Sequence, residues 1–168
     1  MTNASQNPPA STPQRSADQQ KLLLELVTTL FERKITFNEF LGFKIDSIDK
    51  EPVRISFVMR PELVGHFLYG RLHGGVISSV LDVVGGLSIM MGITRFYGSE
   101  DAEQVIQRFA QLATIDLRVD YLRPGIGEVF FAEAELVRLG KRVGVCSMRL
   151  SNDSDVLLAT GNASYIVS

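Results

Sequence analysis

Tryptophan is absent from these 168 residues, and cysteine and histidine are scarce, at one Cys and two His. The single cysteine, Cys146, cannot close an internal disulfide. With only His66 and His73 beside it, no metal cluster is evident. The expectation is a reduced, cytoplasmic protein that holds no metal and no cofactor. An excess of either charge is also lacking: Lys and Arg number 17 against 19 Asp and Glu, a net of −2. A duplex-binding surface needs a concentrated basic field, so no nucleic acid partner is expected. The first residues show no basic start followed by an apolar block, so no secretory signal is expected. One long apolar run exists, 72–94, but Asp82 sits near its middle. A central carboxylate costs about 2.5–3.5 kcal/mol on insertion scales, and the run is diluted with Ser and Gly. No membrane span is expected.

What is present is enough apolar material, 45% of residues, for one domain with a real core. Residues 1–16, rich in Asn, Gln, Ser, Thr and Pro, read as a disordered tail, and 17–168 as a single domain. Ser16 and Asp18 can cap a helix over about 18–32, whose Leu22, Leu23, Leu26, Val27, Leu30 and Phe31 form one apolar stripe. A short helical turn at 36–40 precedes two strands, 43–50 and 52–60, with Val53, Ile55, Phe57 and Met59 on one face. Residues 61–72 read as a loop. A long apolar helix spans 74–96, and a short polar one 100–110. Four strands then follow at 114–122, 128–138, 142–151 and 155–167. In the first, Ile115, Leu117, Val119 and Tyr121 should point inward. The order predicts an α+β fold, an antiparallel sheet wrapped around the long central helix.

That central helix carries unusual residues. Gly75, Ser78, Ser79, Asp82, Gly85 and Gly86 share one face, although each interior glycine costs about 1 kcal/mol against alanine. A stripe of small residues lets a ligand or a second copy of the chain approach closely. Asp82, flanked by Leu81, Val83 and Val84, should be poorly solvated and therefore a stronger base. It suits a general base or a nucleophile acting on a polarised carbonyl. It equally suits a structural carboxylate satisfied by Ser78 or a backbone amide. His73-Gly74-Gly75 opens the helix, where unpaired N–H groups converge, so the Gly75 amide is a candidate oxyanion donor. Gly75 and Asp82 lie roughly 10 Å apart along one helix at about 1.5 Å per residue, too far to share a carbonyl easily. Two antiparallel copies of the helix bring Asp82 of one near Gly75 of the other, which predicts a homodimer with two composite sites.

Two stretches, His73-Gly74-Gly75 with a carboxylate nine residues after the histidine, and Thr114 to Pro124, resemble the hotdog-fold acyl-CoA thioesterases of the PaaI type. The pattern over about 35–167 is closest to the YigI-like branch, associated with medium- and long-chain acyl-CoA. The resemblance implies a hotdog fold and hydrolysis of acyl-CoA to free acid and CoA, in a homodimer or a dimer of dimers. It implies Asp82 as nucleophile or base, and Gly75 as the amide polarising the thioester across the interface. Thr114 matches a Ser or Thr that positions water or the carboxylate, although simple alternation turns it away from the helix unless the strand begins irregularly. Six residues before His73, where some relatives carry Asn or Gln, stands Phe67. His73, Gly74 and Phe67 are expected near the substrate, Phe57, Met59, Phe67, Met90 and Met91 along an acyl tunnel, and Arg123, Lys141 and Arg142 at the CoA phosphates.

Two other functions fit the same pattern. One is a non-catalytic acyl-CoA-binding module, although residues 1–40 offer no basic recognition helix for an output. The other is a hydratase or dehydratase, in which a histidine and a carboxylate would meet across a dimer.

Overall fold

The computed structural model describes residues 14–168. Most of the expected tail lies outside them. Arg15, assigned to that tail from sequence, is held firmly. Its guanidinium donates to Glu100 O, Tyr97 O and Gln20 Oε1, and its main-chain N–H to Gly98 O.

Helix α1 spans Ala17–Thr29, with Ser16 Oγ accepting from Gln19 N at 3.3 Å, and continues as a wider π-helical turn over Leu30–Lys34. Of the expected stripe Leu23, Val27 and Phe31 are buried, whereas Leu22 is exposed. Helix α2 is Thr36–Leu41. Strands β1 (Lys44–Ser47) and β2 (Val53–Val58) follow, β2 burying Val53, Ile55 and Phe57. The stretch read as a plain loop holds a 3-10 turn and a small hairpin, β3 (Val64–His66) with β4 (Arg71–Leu72). Helix α3 is Gly74–Phe96 and α4 is Ala102–Phe109, the latter opened by a reciprocal Asp101–Gln104 cap. The last four strands are β5 (Ala113–Tyr121), β6 (Val129–Leu139), β7 (Val143–Asn152) and β8 (Leu157–Ile166).

Six strands form one antiparallel sheet in the order β1-β2-β6-β7-β8-β5. Helix α3 packs across its inner face against β6 and β7. By length and composition α3 could cross a membrane, but 72% of its most apolar stretch is buried inside the fold. It is the core helix of a hotdog fold. Strands β6, β7 and β8 alternate because one face meets α3 and the other does not. Thus Phe130, Ala132, Ala134, Cys146, Met148, Leu150, Ala159, Ala163 and Tyr165 are buried.

Strand β5 lies at the sheet edge and departs from simple alternation. Its pairing with β8 steps from Thr114↔Tyr165 to Asp116↔Ser164, so one residue is extra on the β5 side. Ile115 is that residue. Expected inward, it is 58% exposed, because a bulge flips the side chains that precede it. Helices α1, α2 and α4 gather beside the start of this strand, with Phe31 and Phe109 edge-to-face at 5.2 Å between ring centres.

Candidate active site

The cap of α3 occupies the first candidate group. His73 Nδ1 accepts the Gly75 N–H at 2.9 Å, which leaves the ring proton on Nε2. Tyr121, at the end of β5, donates its hydroxyl to Gly74 O at 3.1 Å. Ser78 and Ser79 both donate back to Gly75 O, at 3.0 and 2.7 Å. Ser78, one possible partner for Asp82, is therefore committed to its own helix.

Asp82 finds its partners across the fold instead. Thr114 Oγ1 donates to Asp82 Oδ1 at 2.9 Å, and Tyr165 Oη lies 3.1 Å from the same oxygen and 2.9 Å from Asp82 O. The bulge at Ile115 is what turns Thr114 inward. Burial and the neighbouring Asp82 charge push the Tyr165 hydroxyl far above the usual phenol range, so it stays protonated as a donor. Both hydroxyls engage Oδ1. Asp82 Oδ2 has no partner among the described residues. The carboxylate is half-buried, a milder burial than its apolar flanks suggest.

The glycines of the small stripe divide by duty. A Cβ on Gly85 would lie 2.6 Å from Met148 Sδ and press on Tyr165 Oη, so Gly85 makes room for the hydroxyl that holds Asp82. A Cβ on Gly86 would come no nearer than 3.9 Å to Tyr165. Gly86 instead lines a cleft of about 160 Å³ together with Asp82, Thr114 and Tyr165 and the apolar Phe31, Ile35, Val83, Phe109 and Leu112. Asn38 of α2 lines it as well. Tyr165 and Asn38 both escaped the sequence reading. A phenol on the buried face of β8 requires a partner, and that signal was available, but α2 had nothing to mark its asparagine.

The other candidates are dispersed. Phe67, at the tip of the β3–β4 hairpin, is 88% exposed. Phe57, Met90 and Met91 are core residues rather than cleft lining. Arg123 stands beyond the Tyr121 end of β5, its Nη1 on Leu157 O at 2.9 Å. Lys141 and Arg142 form the turn before β7, whose Val143 pairs with Ile166, the partner of Ala113. Ala113 and Tyr121 are roughly 26 Å apart at about 3.3 Å per residue, so the three cations do not form one cluster. Cys146 is buried, and burial first, then the Asp82 charge, pushes its thiol up to about 12. It is not a nucleophile.

Comparison with known proteins agrees with this architecture. Residues 69–159 match the family model described as the thioesterase superfamily. The medium/long-chain acyl-CoA thioesterase YigI of Escherichia coli is 38% identical over 144 residues, covering 86% of this chain and 93% of the relative. Its counterpart from Salmonella typhimurium is 37% identical over the same shares. A crystal structure from Shewanella oneidensis, related to the thioesterase superfamily, is 38% identical and superposes with a TM-score of 0.84, over 92% of this chain and all of that one. The chain belongs to the thioesterase superfamily and is a hotdog-fold thioester hydrolase.

Proposed function

We propose that this protein hydrolyses medium- to long-chain fatty acyl-CoA to free fatty acid and CoA. The observation that carries the reading is Asp82, held by two hydroxyls in the wall of a cleft that apolar side chains also line. A fatty chain needs apolar walls and the thioester needs polar groups, and the cleft lining supplies both. The two relatives named for medium- and long-chain acyl-CoA support the chain class.

Asp82 acts as base or as nucleophile through Oδ2, while Thr114 and Tyr165 fix its orientation. The tetrahedral oxyanion is received by the Gly75 N–H of a second protomer, where the partial positive charge of the helix start adds to the amide. The substrate oxygen takes the place of His73 Nδ1 on that amide. The dimer forms along β5, a nine-residue edge strand with Ile115 and Tyr121 more than half exposed. An uncovered edge of that length invites pairing. A reducing compartment such as the cytoplasm suits the lone thiol. No cofactor enters the reaction.

The test is release of free thiol from palmitoyl-CoA by the wild type and by Asp82→Asn. Wild-type turnover with a loss of about 10³-fold or more in the variant, at unchanged melting temperature, is the expected result. Binding of palmitoyl-CoA without thiol release would make the protein an acyl-CoA-binding module instead.

A further inference from the structure

Asn38 is only 4% exposed, yet it sits among the apolar side chains of the cleft that Asp82 also lines. A carboxamide brings two N–H donors and an acceptor oxygen, and burying it without partners costs about 1–3 kcal/mol. Its neighbours Phe31, Ile35, Phe109 and Leu112 show that the local packing accepts apolar residues. The helix does not require an asparagine here either. Helix α2 ends on Gly42 in the left-handed region, at φ 72°, and the Gly42 N–H bonds to the main-chain carbonyl of Asn38 at 3.0 Å. The cap thus uses the backbone of residue 38 and leaves its side chain free. The Asn38 carboxamide is not among the fully sealed polar atoms of the described residues, which leaves it facing the cleft that it lines. The polar groups sharing its cleft are Asp82, Thr114 and Tyr165, and both hydroxyls are already committed to Asp82, Thr114 on Oδ1 and Tyr165 between Oδ1 and the main-chain oxygen.

We infer that Asn38 is a catalytic residue of this site, its carboxamide holding the hydrolytic water against Asp82. The inference rests on the acyl-CoA hydrolase reading and takes Asp82 as the base. One hydrogen of the water is donated to Asp82 Oδ2 and the other to Asn38 Oδ1, which leaves a lone pair for the thioester carbon. As the C–O bond forms, the first proton passes to Asp82 and the carbonyl electron pair moves onto oxygen. Collapse of that intermediate breaks the C–S bond, and the proton held by Asp82 passes to the departing CoA sulfur. The second proton leaves with the fatty acid. Two fixed acceptors orient a water that one carboxylate oxygen alone leaves free to turn. A carboxamide does so without placing a second negative charge beside Asp82.

The experiment compares wild type, Asn38→Ala and the similarly branched Asn38→Leu in palmitoyl-CoA hydrolysis, with thermal melts of each. The expected result is a fall in kcat of about 10- to 100-fold in both variants with KM within about threefold. The Leu variant should melt no lower than wild type, because an apolar side chain of the same branching replaces a buried polar one beside an open cleft. A folded variant that keeps kcat within about twofold overturns the inference, as does a loss fully accounted for by a reduced folded fraction. If wild type itself releases no thiol, the hydrolase reading falls, and the role of Asn38 with it.

Discussion

Thr114 Oγ1 stands 2.9 Å from Asp82 Oδ1, although 32 residues and the whole of α4 separate the two along the chain. The contact exists because β5 carries one extra residue, Ile115, opposite β8. The bulge converts an outward-facing threonine into a donor aimed at the central helix. Replacement by valine keeps the volume and removes the donor. Thr114→Val should therefore lower kcat for palmitoyl-CoA by about 10-fold, with KM little changed and stability within about 1 kcal/mol. Steady-state kinetics beside a urea melt checks both parts.

Gly85 and Gly86 are adjacent and should answer opposite ways to the same substitution. Gly85→Ala drives a methyl group against Met148 and Tyr165, and overpacking of this kind costs about 1–3 kcal/mol. Gly86→Ala meets no such contact and gains helix propensity, so it should be neutral or more stable by up to about 1 kcal/mol. A larger residue, Gly86→Val, should narrow the cleft and raise KM for palmitoyl-CoA more than for a short-chain acyl-CoA. Equal effects on the two substrates would place the acyl chain elsewhere.

Cys146 and Tyr165 together set an alkaline limit on stability. Burial lifts the thiol from its ordinary 9.0 to about 12 and lifts the phenol above its ordinary 10.0. The folded protein thus binds both protons more tightly than the unfolded chain. That stability is fully present below pH 9 and is lost as pH rises through 9 and then 10 toward the folded values. Urea midpoints at pH 8, 9.5 and 10.5 should fall in sequence, and Cys146→Ala should flatten the step between the first two. The same burial predicts that Ellman's reagent at pH 8 labels Cys146 only after unfolding.

A composite site permits complementation. Asp82→Asn removes the acid from one protomer. Gly75→Pro removes the amide hydrogen while remaining compatible with the first turn of a helix. Each variant alone should be inactive. Refolded together in equal amounts, half of the dimers are mixed and each mixed dimer has one intact site, so roughly a quarter of wild-type activity should return. No recovery would put both groups to work within a single chain.

Much of the fold was legible because the relevant signals are local. Period-2 alternation placed β2, strand-like runs between turn residues placed β6, β7 and β8 to within a few residues, and the capped stripe of α1 and the long apolar run of α3 gave the helices. The small hairpin around Phe67 escaped notice because strands of two or three residues are too short to show a period. The site was less legible. Asp82 stood out as a charge in an apolar helix, and Gly75 as a glycine at a helix start. Phe67 and the three cations were placed by pattern alone and do not converge on Asp82.

What the amino-acid order determined by itself is the longer helices, the strands of the main sheet and the presence of a carboxylate in the apolar central helix, because these depend on residues only a few positions apart. Only the tertiary structure decided who touches the acid. Thr114 reaches Asp82 through a bulge and Tyr165 through the space left by Gly85, while α2 brings Asn38 into the same cleft. Each of these meetings joins distant elements. Its geometry rests on register and on the volume of intervening side chains, which no local pattern encodes.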